Sequence, residues 1–596
     1  MKIITIQIMR ICLMMLCSFV PMRGLSATVD SSEANAQELI RQQERLRLLR
    51  QQQEIKPDAR DAGQQLESTA PVATDIIPDQ ETPCFIISKI ELIGDSANQF
   101  QFALNEVLNN TRDGKPVLGR CLGVIGINAV IARVQNAIIA KGYVTTRVLA
   151  APQDLKTGTL QLTVIPGRVN TIRFTPDSSK RVSAWNALPI NTGDILNLRD
   201  IEQALENFKR VPTAEADIQI APASVGEDAS QNNAMPGFSD IVIRYQQRFP
   251  VRISVGLDDS GSNSTGKYQG STTLSGDNLL ALNDLLYVNY NHDLGGGDSG
   301  KRGTKGYSAH YSIPWDYWLL GTTTSSNDYH QTVAGASQTY LYSGTSQNAE
   351  IKLSRLIYRN SINKTSLSLR GFLRKSSNYI DDTEIEVQRR RTAGWELGFN
   401  QSWYLGQSIL DYNLAYRRGT GAQDALKAPE ESFNEGTSRM KMLLGDLNLN
   451  VPFSVNAPWG NQPLQYSANL RGQANYTPLT PQDRFSIGSR YTVRGFDGQQ
   501  TLLADHGWLI RNELTAPIAG SGQAVYWGLD YGEVGGQSSE NLAGKYLAGT
   551  VVGLRGGGGS RFGRLNYDVF MGKPINKPQG FQTHQSVAGF SFNYAY

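Results

Sequence analysis

The sequence predicts a membrane β-barrel of about 16 antiparallel strands, preceded by two small α+β units and an N-terminal helix. Three observations carry this reading. Residues 590–596 put aromatics at Phe590, Phe592, Tyr594 and Tyr596, with Ser591, Asn593 and Ala595 between them. A strand there has one aromatic face and one wet face, and a chain that stops on such a stripe leaves it for lipid, as a closing barrel strand does. From Val251 onward the texture is one of short alternating runs separated by Gly, Asn, Asp and Ser. Composition fits as well: 40% apolar and 19% charged residues, with a negative mean hydropathy, suit a chain that hides its hydrophobicity in alternation.

The long apolar run at residues 11–20, behind Lys2 and Arg10, is too short to span a bilayer as a helix and has the charged start of a secretory signal. A leader over 1–27, cut near Ala27, is expected. Its removal takes Cys12 and Cys17 and leaves Cys84 and Cys121. In an oxidising compartment these two are expected to form a disulfide, two buried free thiols being the alternative. A formal net charge of +3 gives no reason to invoke nucleic acid.

Within 28–54, residues 34–53 are rich in Gln, Arg, Glu and Leu without Gly or Pro, which predicts a polar helix. Leu39, Leu46 and Leu49 make only a thin apolar stripe, suited to solvent or to a polar channel that the helix could plug. Residues 55–83 lack periodicity and read as a linker. The first α+β unit, 84–166, is expected to run strand 85–93, helix 100–108, helix 127–141, strand 143–149 and strand 159–165. Ile127, Ile131, Val134 and Ile138 recur at helical spacing, and Lys141 with Gly142 makes a stop. The second unit, 167–245, has a strand at 171–174, a helix at 198–210 and strands near 217–221 and 240–244. Asn197 is placed to cap that helix, and Leu198, Ile201, Leu205 and Phe208 share its face.

Residues 246–596 remain for the barrel. Trp395, Leu397 and Phe399 face away from Glu396 and Asn400, and Leu410, Tyr412, Leu414 and Tyr416 behave alike. Leu464, Tyr466, Ala468 and Leu470 oppose Gln465, Ser467, Asn469 and Arg471. A charge on the lipid face near mid-bilayer costs roughly 2–4 kcal/mol, so this segregation predicts a watery lumen.

The sharpest motif is Val493, Arg494, Gly495, Phe496, which resembles the VRGF tip of the loop that folds back into the barrel in the outer-membrane assembly and secretion superfamily. That resemblance implies that Arg494 pairs inside the barrel with an acid on a later strand. The stretch Trp527, Gly528, Leu529, Asp530, Tyr531, Gly532 resembles the strand carrying it, so the role passes to Asp530, with Glu533 in reserve. Lys141 to Arg147, then Pro152 to Leu155, and Val164 to Val169 resemble the first POTRA domain of two-partner secretion transporters; Asn197 to Pro212 resembles the second. Asp258 to Gly261 and Thr265 to Tyr268 are similar to the start of the same family's barrel.

The resemblance implies an outer-membrane transporter with its POTRA domains in the periplasm. It would pass one large exoprotein with an N-terminal secretion domain (a haemolysin, an adhesin or a contact-dependent inhibition toxin) to the cell surface without nucleotide hydrolysis. It implies further contacts with outer-membrane lipid and, during biogenesis, with the barrel assembly machinery, and a monomeric chain. An outer-membrane insertase shares the VRGF loop and is the alternative. Enzyme readings are weak. Gly297, Asp298, Ser299, Gly300 matches a serine-protease tetrapeptide, but it lies in a Gly-rich turn and Lys301 replaces the next glycine. The histidines His292, His310, His330, His506 and His584 lack metal spacing. No phosphate loop follows Gly266 and Lys267, since the next residue is Tyr268. No catalytic residue, cofactor or metal is therefore expected.

Overall fold

The computed structural model describes residues 76–109, 116–224, 234–335 and 338–596. The leader, the expected plug helix and the linker up to residue 75 lie outside the described residues. Among those described, no helix is long and apolar enough to cross a membrane.

Residues 76–83, read from sequence as the end of a linker, are built into the first α+β unit. Ile77 is only 3% exposed and joins its core. The Glu81 carboxylate accepts from the backbone N–H of Gly123 (2.7 Å), Ile125 (2.8 Å) and Gly126 (2.9 Å), the free donors at the start of the helix Val124–Ala140. Burial pushes its pKa up, but those three donors outweigh it and hold the carboxyl below its ordinary range. This remote cap also explains why the helix begins before Ile127, where apolar spacing alone would start it.

The stretch expected as one strand over 85–93 is two strands in different sheets. Phe85–Ile86 pairs antiparallel with Cys121–Leu122, next to a Cys84–Cys121 disulfide. Lys89–Gly94 pairs parallel with Thr159–Ile165, whose other neighbour is Arg147–Leu149. The break falls at Ser88, whose N–H and hydroxyl both turn to the Gly158 carbonyl (2.8 and 3.1 Å). Residues 143–146 are a turn rather than strand, because the Tyr143 ring leaves the sheet to pack edge-on against Phe100 (5.1 Å). Gln101–Asn109 and Val124–Ala140 cover the sheet with Leu104, Val134 and Ile138 against Leu160 and Leu162. Each such side chain contributes about 1.5–3 kcal/mol.

In the second unit the sheet runs Arg168–Phe174, Ala234–Gln247, Ala214–Ser224, and the helix Leu198–Lys209 lies on it. Asn197 caps the helix by accepting from the Arg199 N–H (2.9 Å), and Leu198, Ile201, Leu205 and Phe208 are buried. Its polar face is not solvated. Asn207 donates to the Asp316 carbonyl (2.9 Å), and Glu206 accepts from Arg359 and Lys364, so the helix reads two turns of the barrel. Those two cations overcome burial and hold the Glu206 carboxyl below its usual range.

Among the described residues sixteen antiparallel strands, from Val251–Asp258 to Val587–Ala595, close a barrel, and a two-residue strand at Thr383–Glu384 pairs onto Asn363–Ile380. The closing pairing is short, from Ser591↔Asp258 to Ala595↔Ser254, and it is extended by reciprocal bonds between Ile253 and Tyr596. Phe592 (40% exposed), Tyr594 (41%) and Tyr596 (70%) lie outward with Val255 and Leu257 as neighbours; Phe590 is half-buried and stacks on Tyr268. Leu367, Leu369, Leu397 and Leu414 also face out. On the inner face of the same strands Arg370 bridges Glu350 (2.9 Å) and Glu396 (2.6 Å), and Glu396 meets Arg417 (2.8 Å). The inside wall is thus a ladder of alternating charge, as the segregation in the sequence requires.

Candidate functional site

Between the strands Gly460–Asn475 and His506–Ile518 the chain folds inward. The loop's base is a small hairpin, Phe485–Ile487 against Leu502–Ala504. Its apolar side chains join Leu509, Val534, Leu547 and Phe581 in a buried cluster, which fixes the base to the wall. Arg374 on the wall also reaches Asp483 (3.0 Å).

The tip carries the motif. Arg494 Nε and Nη2 donate to the two oxygens of Asp530 (2.8 and 2.9 Å), and the Arg494 backbone N–H adds a third bond to the same carboxylate (3.0 Å). Nη1 reaches Glu513 (2.5 Å). The side chain of Asp530 is wholly buried and that of Arg494 is 8% exposed. Bidentate, charge-assisted geometry of this kind fixes orientation as well as distance. Phe496 packs edge-on against Phe581 (5.7 Å), and Val493 is fully buried. Gly495 holds φ +97°, a left-handed conformation that L side chains rarely adopt, and it approaches the Lys573 carbonyl. On the wall below, a Cβ at Gly549 would stand 1.9 Å from the Arg494 carbonyl oxygen, so only glycine lets the loop lie flat.

The structure therefore brings Arg494 and Asp530 together, and it leaves Glu533, the reserve acid, out of the contact. Alternation explains the choice, because Asp530 shares its face with Gly528 and Gly532 while Glu533 points to the other. The second acid, Glu513, was not foreseen: it stands one strand away, opposite Gly528 in register. Both acids also have cations on the wall, since Arg511 lies 3.8 Å from Asp530 and Arg555 lies 2.8 Å from Glu513.

A second tether was equally invisible in sequence. Arg490 donates to Asp259 (2.6 Å), and the same Asp259 oxygen accepts from the backbone N–H of Phe590 (2.9 Å). Arg490 lies over the Phe570 ring (5.0 Å). One carboxylate thus joins the inward loop to both strands of the barrel's closing pair. Elsewhere, Gly297 and Gly300 both hold positive φ in the turn before Arg302–Trp315, as a tight turn demands. Among the described residues no cluster of metal-ligating side chains occurs.

A lumen of alternating charge, a loop locked to the inner wall and two α+β units below match one known architecture. Residues 237–556 match the family described as haemolysin secretion/activation protein ShlB/FhaC/HecB. The chain belongs to this family. Residues 85–167 match a ShlB-type POTRA domain and 168–222 a second POTRA domain. The outer membrane transporter CdiB-2 of Burkholderia pseudomallei is 38% identical over 532 residues, covering 87% of this chain and 88% of that protein. The outer membrane transporter CdiB of Dickeya dadantii is 27% identical over 578 residues, covering 95% of each chain. Among solved structures, CdiB from Acinetobacter baumannii superposes with a TM-score of 0.80 at 30% identity, covering 96% of this chain and all of that one. The protein is accordingly an outer-membrane transporter of two-partner secretion, and the family is one of transporters rather than enzymes.

Proposed function

We propose that the cargo is a single large exoprotein with an N-terminal secretion domain, of the haemolysin, adhesin or contact-dependent inhibition type, and that it crosses the barrel as an extended chain. The observation that carries this is the inner wall. The ladder Glu350, Arg370, Glu396, Arg417 pairs its charges with one another, so it offers a sliding backbone polar groups without a sticky apolar surface. Before entry, an edge of a three-stranded POTRA sheet is where the arriving cargo adds as a further strand. Folding of the cargo outside removes the species that could return, which biases movement outward without nucleotide. We assign the Arg494–Asp530 clamp the role of holding the inward loop in its transport-competent place, and the terminal stripe Phe590, Phe592, Tyr594 and Tyr596 the role of an assembly strand read by the barrel assembly machinery.

The test is export in cells that co-express a very large exoprotein encoded beside this gene. Surface delivery should need this chain and should fall when Arg494→Ala is introduced with the barrel still inserted. Export that proceeds without this chain would refute the reading. Efficient insertion of unfolded barrel proteins by the purified chain would favour the insertase alternative instead.

A further inference from the structure

We propose that the second POTRA domain is itself seated in the inner-leaflet surface of the outer membrane, through Trp185. The segment between the strand Arg168–Phe174 and the helix Leu198–Lys209 runs beneath two turns of the barrel. Its anchor is Asn186, which is wholly buried. The Asn186 side chain donates to the carbonyls of Leu282 (2.6 Å) and Pro314 (3.1 Å) and accepts from Asn283 (2.9 Å), while its own carbonyl accepts from the Asp316 N–H (3.0 Å). Every polar group of that side chain is used to hold the segment at the level of these turns. The neighbouring residue cannot move far from them.

That neighbour is Trp185, and it is 62% exposed. An indole left in water beside a fully buried anchor is a poor arrangement for a soluble surface, but the surroundings supply its solvent. On the strand Arg302–Trp315 the polar residues Ser308, His310 and Ser312 are buried on the inner face, so Tyr307 (52% exposed) and Trp315 (61%) lie on the outer one. Trp318 pairs directly with Trp315 and is outward too, with the Arg355 guanidinium 4.9 Å from its ring. Leu280, in the first of the two turns, is 63% exposed. Trp315 is the residue after Pro314, whose carbonyl Asn186 holds. Trp185 is therefore joined, through one side chain, to the end of a strand whose tryptophan already faces lipid. Aromatic rings with one polar edge concentrate at this depth because their apolar body enters the acyl region while the N–H stays among headgroups. The girdle of the barrel thus continues onto the POTRA domain. Lipid is a better occupant than a passing polypeptide, since Trp315 and Trp318, beside the Pro314 carbonyl that Asn186 holds, face outward rather than into the lumen.

The consequence is that the orientation of this domain is set by the membrane as well as by the ion pairs of its helix. Because Trp185 is exposed and makes no core contact, Trp185→Phe leaves the fold intact and serves as the subtraction control. The full chain and this variant are reconstituted in phosphatidylcholine vesicles, and the difference in their tryptophan emission isolates residue 185. The difference emission should be quenched by lipids brominated close to the headgroup roughly twofold more than by deeply brominated ones, and should resist aqueous iodide. Quenching by iodide with none from brominated lipid would overturn the proposal and make the patch a water-exposed one. Quenching by neither would overturn it equally, because the ring would then be covered by protein.

Discussion

Replacing each partner at the loop tip in turn should give unequal losses, and the inequality can be worked from the wall cations. Breaking a buried ion pair by removing one member costs about 3–5 kcal/mol when the other is left uncompensated. Arg494→Ala strands Asp530 only in part, because Arg511 sits 3.8 Å away and can close on it, while Glu513 keeps Arg555 at 2.8 Å. A loss of about 2–3 kcal/mol is expected, below that range. Asp530→Ala does the reverse. It leaves Arg494 and Arg511 close together with one shared anion removed, so repulsion adds to the lost bonds and the full ~4–5 kcal/mol is expected. Glu513→Gln keeps an acceptor and should cost about 1 kcal/mol. The assay is amide hydrogen exchange of the loop tip, residues 489–499, in reconstituted protein, where each 1.4 kcal/mol appears as about tenfold faster exchange in the local-opening regime. Equal losses for Arg494→Ala and Asp530→Ala, or a greater loss for Arg494→Ala, would refute the role given to Arg511. Unchanged exchange in all three would refute the clamp itself.

Three further outcomes are expected. Gly549→Ala places a methyl 1.9 Å from a backbone oxygen of the loop, which cannot rotate away, so the tip should lift and its tryptic sites open while the barrel remains folded; an unaltered digest would contradict the close approach. Asp259→Ala removes both the Arg490 pair and the acceptor for the Phe590 N–H, and exchange of the amides at 588–592 should rise by the equivalent of about 1–3 kcal/mol; Asp259→Asn, which keeps an acceptor, should show less. Asp200, on the POTRA helix against the barrel, should make docking pH-dependent. Burial, helped by repulsion from Asp194 and opposed by the hydrogen bond from Tyr317, pushes its pKa up to about 6. The folded pKa thus lies above the unfolded one, near 4, so this stabilisation is full below pH ~4 and is lost as pH rises through the folded value. Thermal stability of the docked form should fall between about pH 4 and 7 by up to about 3 kcal/mol, and Asp200→Asn should abolish this contribution to the slope; a contribution of opposite sign would refute the assignment.

What was legible in the sequence follows a physical division. Period-two alternation reports which face a residue takes, so the outward Leu397 and Leu414 and the inward Glu396 and Arg471 could be read from single strands. Alternation also chooses Asp530 over Glu533 once the inner face is known. Register is another matter. Nothing along the chain says that Glu513 stands opposite Gly528, or that Asp259 meets Phe590, because pairing across strands is set by the closed barrel. The same limit applied to helix starts. The cap at Asn197 is adjacent to its helix and was visible, whereas the cap on Val124–Ala140 comes from Glu81, tens of residues upstream. The broken strand at Ser88 was hidden for a related reason, since both halves have strand composition and only their partners differ.

The two ends of the inward loop are held by different forces, and the difference bears on transport. Phe485, Ile487, Leu502 and Ala504 at the base are buried with Leu509, Val534 and Leu547. Separating them exposes apolar surface to a wet lumen, at about 25 cal/mol for every Å². That cost keeps the base with the wall. The tip is held by ions, and each of its acids already has a second cation on the wall within 4.0 Å. When the tip lifts, Asp530 and Glu513 exchange a loop guanidinium for the wall's Arg511 and Arg555, and Arg494 enters a lumen lined with carboxylates such as Glu350 and Glu396 rather than an apolar void. The energy of the tip contact is therefore the difference between two sets of ion pairs, smaller than the energy of either. A loop anchored by apolar burial at its base and by exchangeable ions at its tip can swing about that base, and the arrangement of charges sets how much work the swing requires.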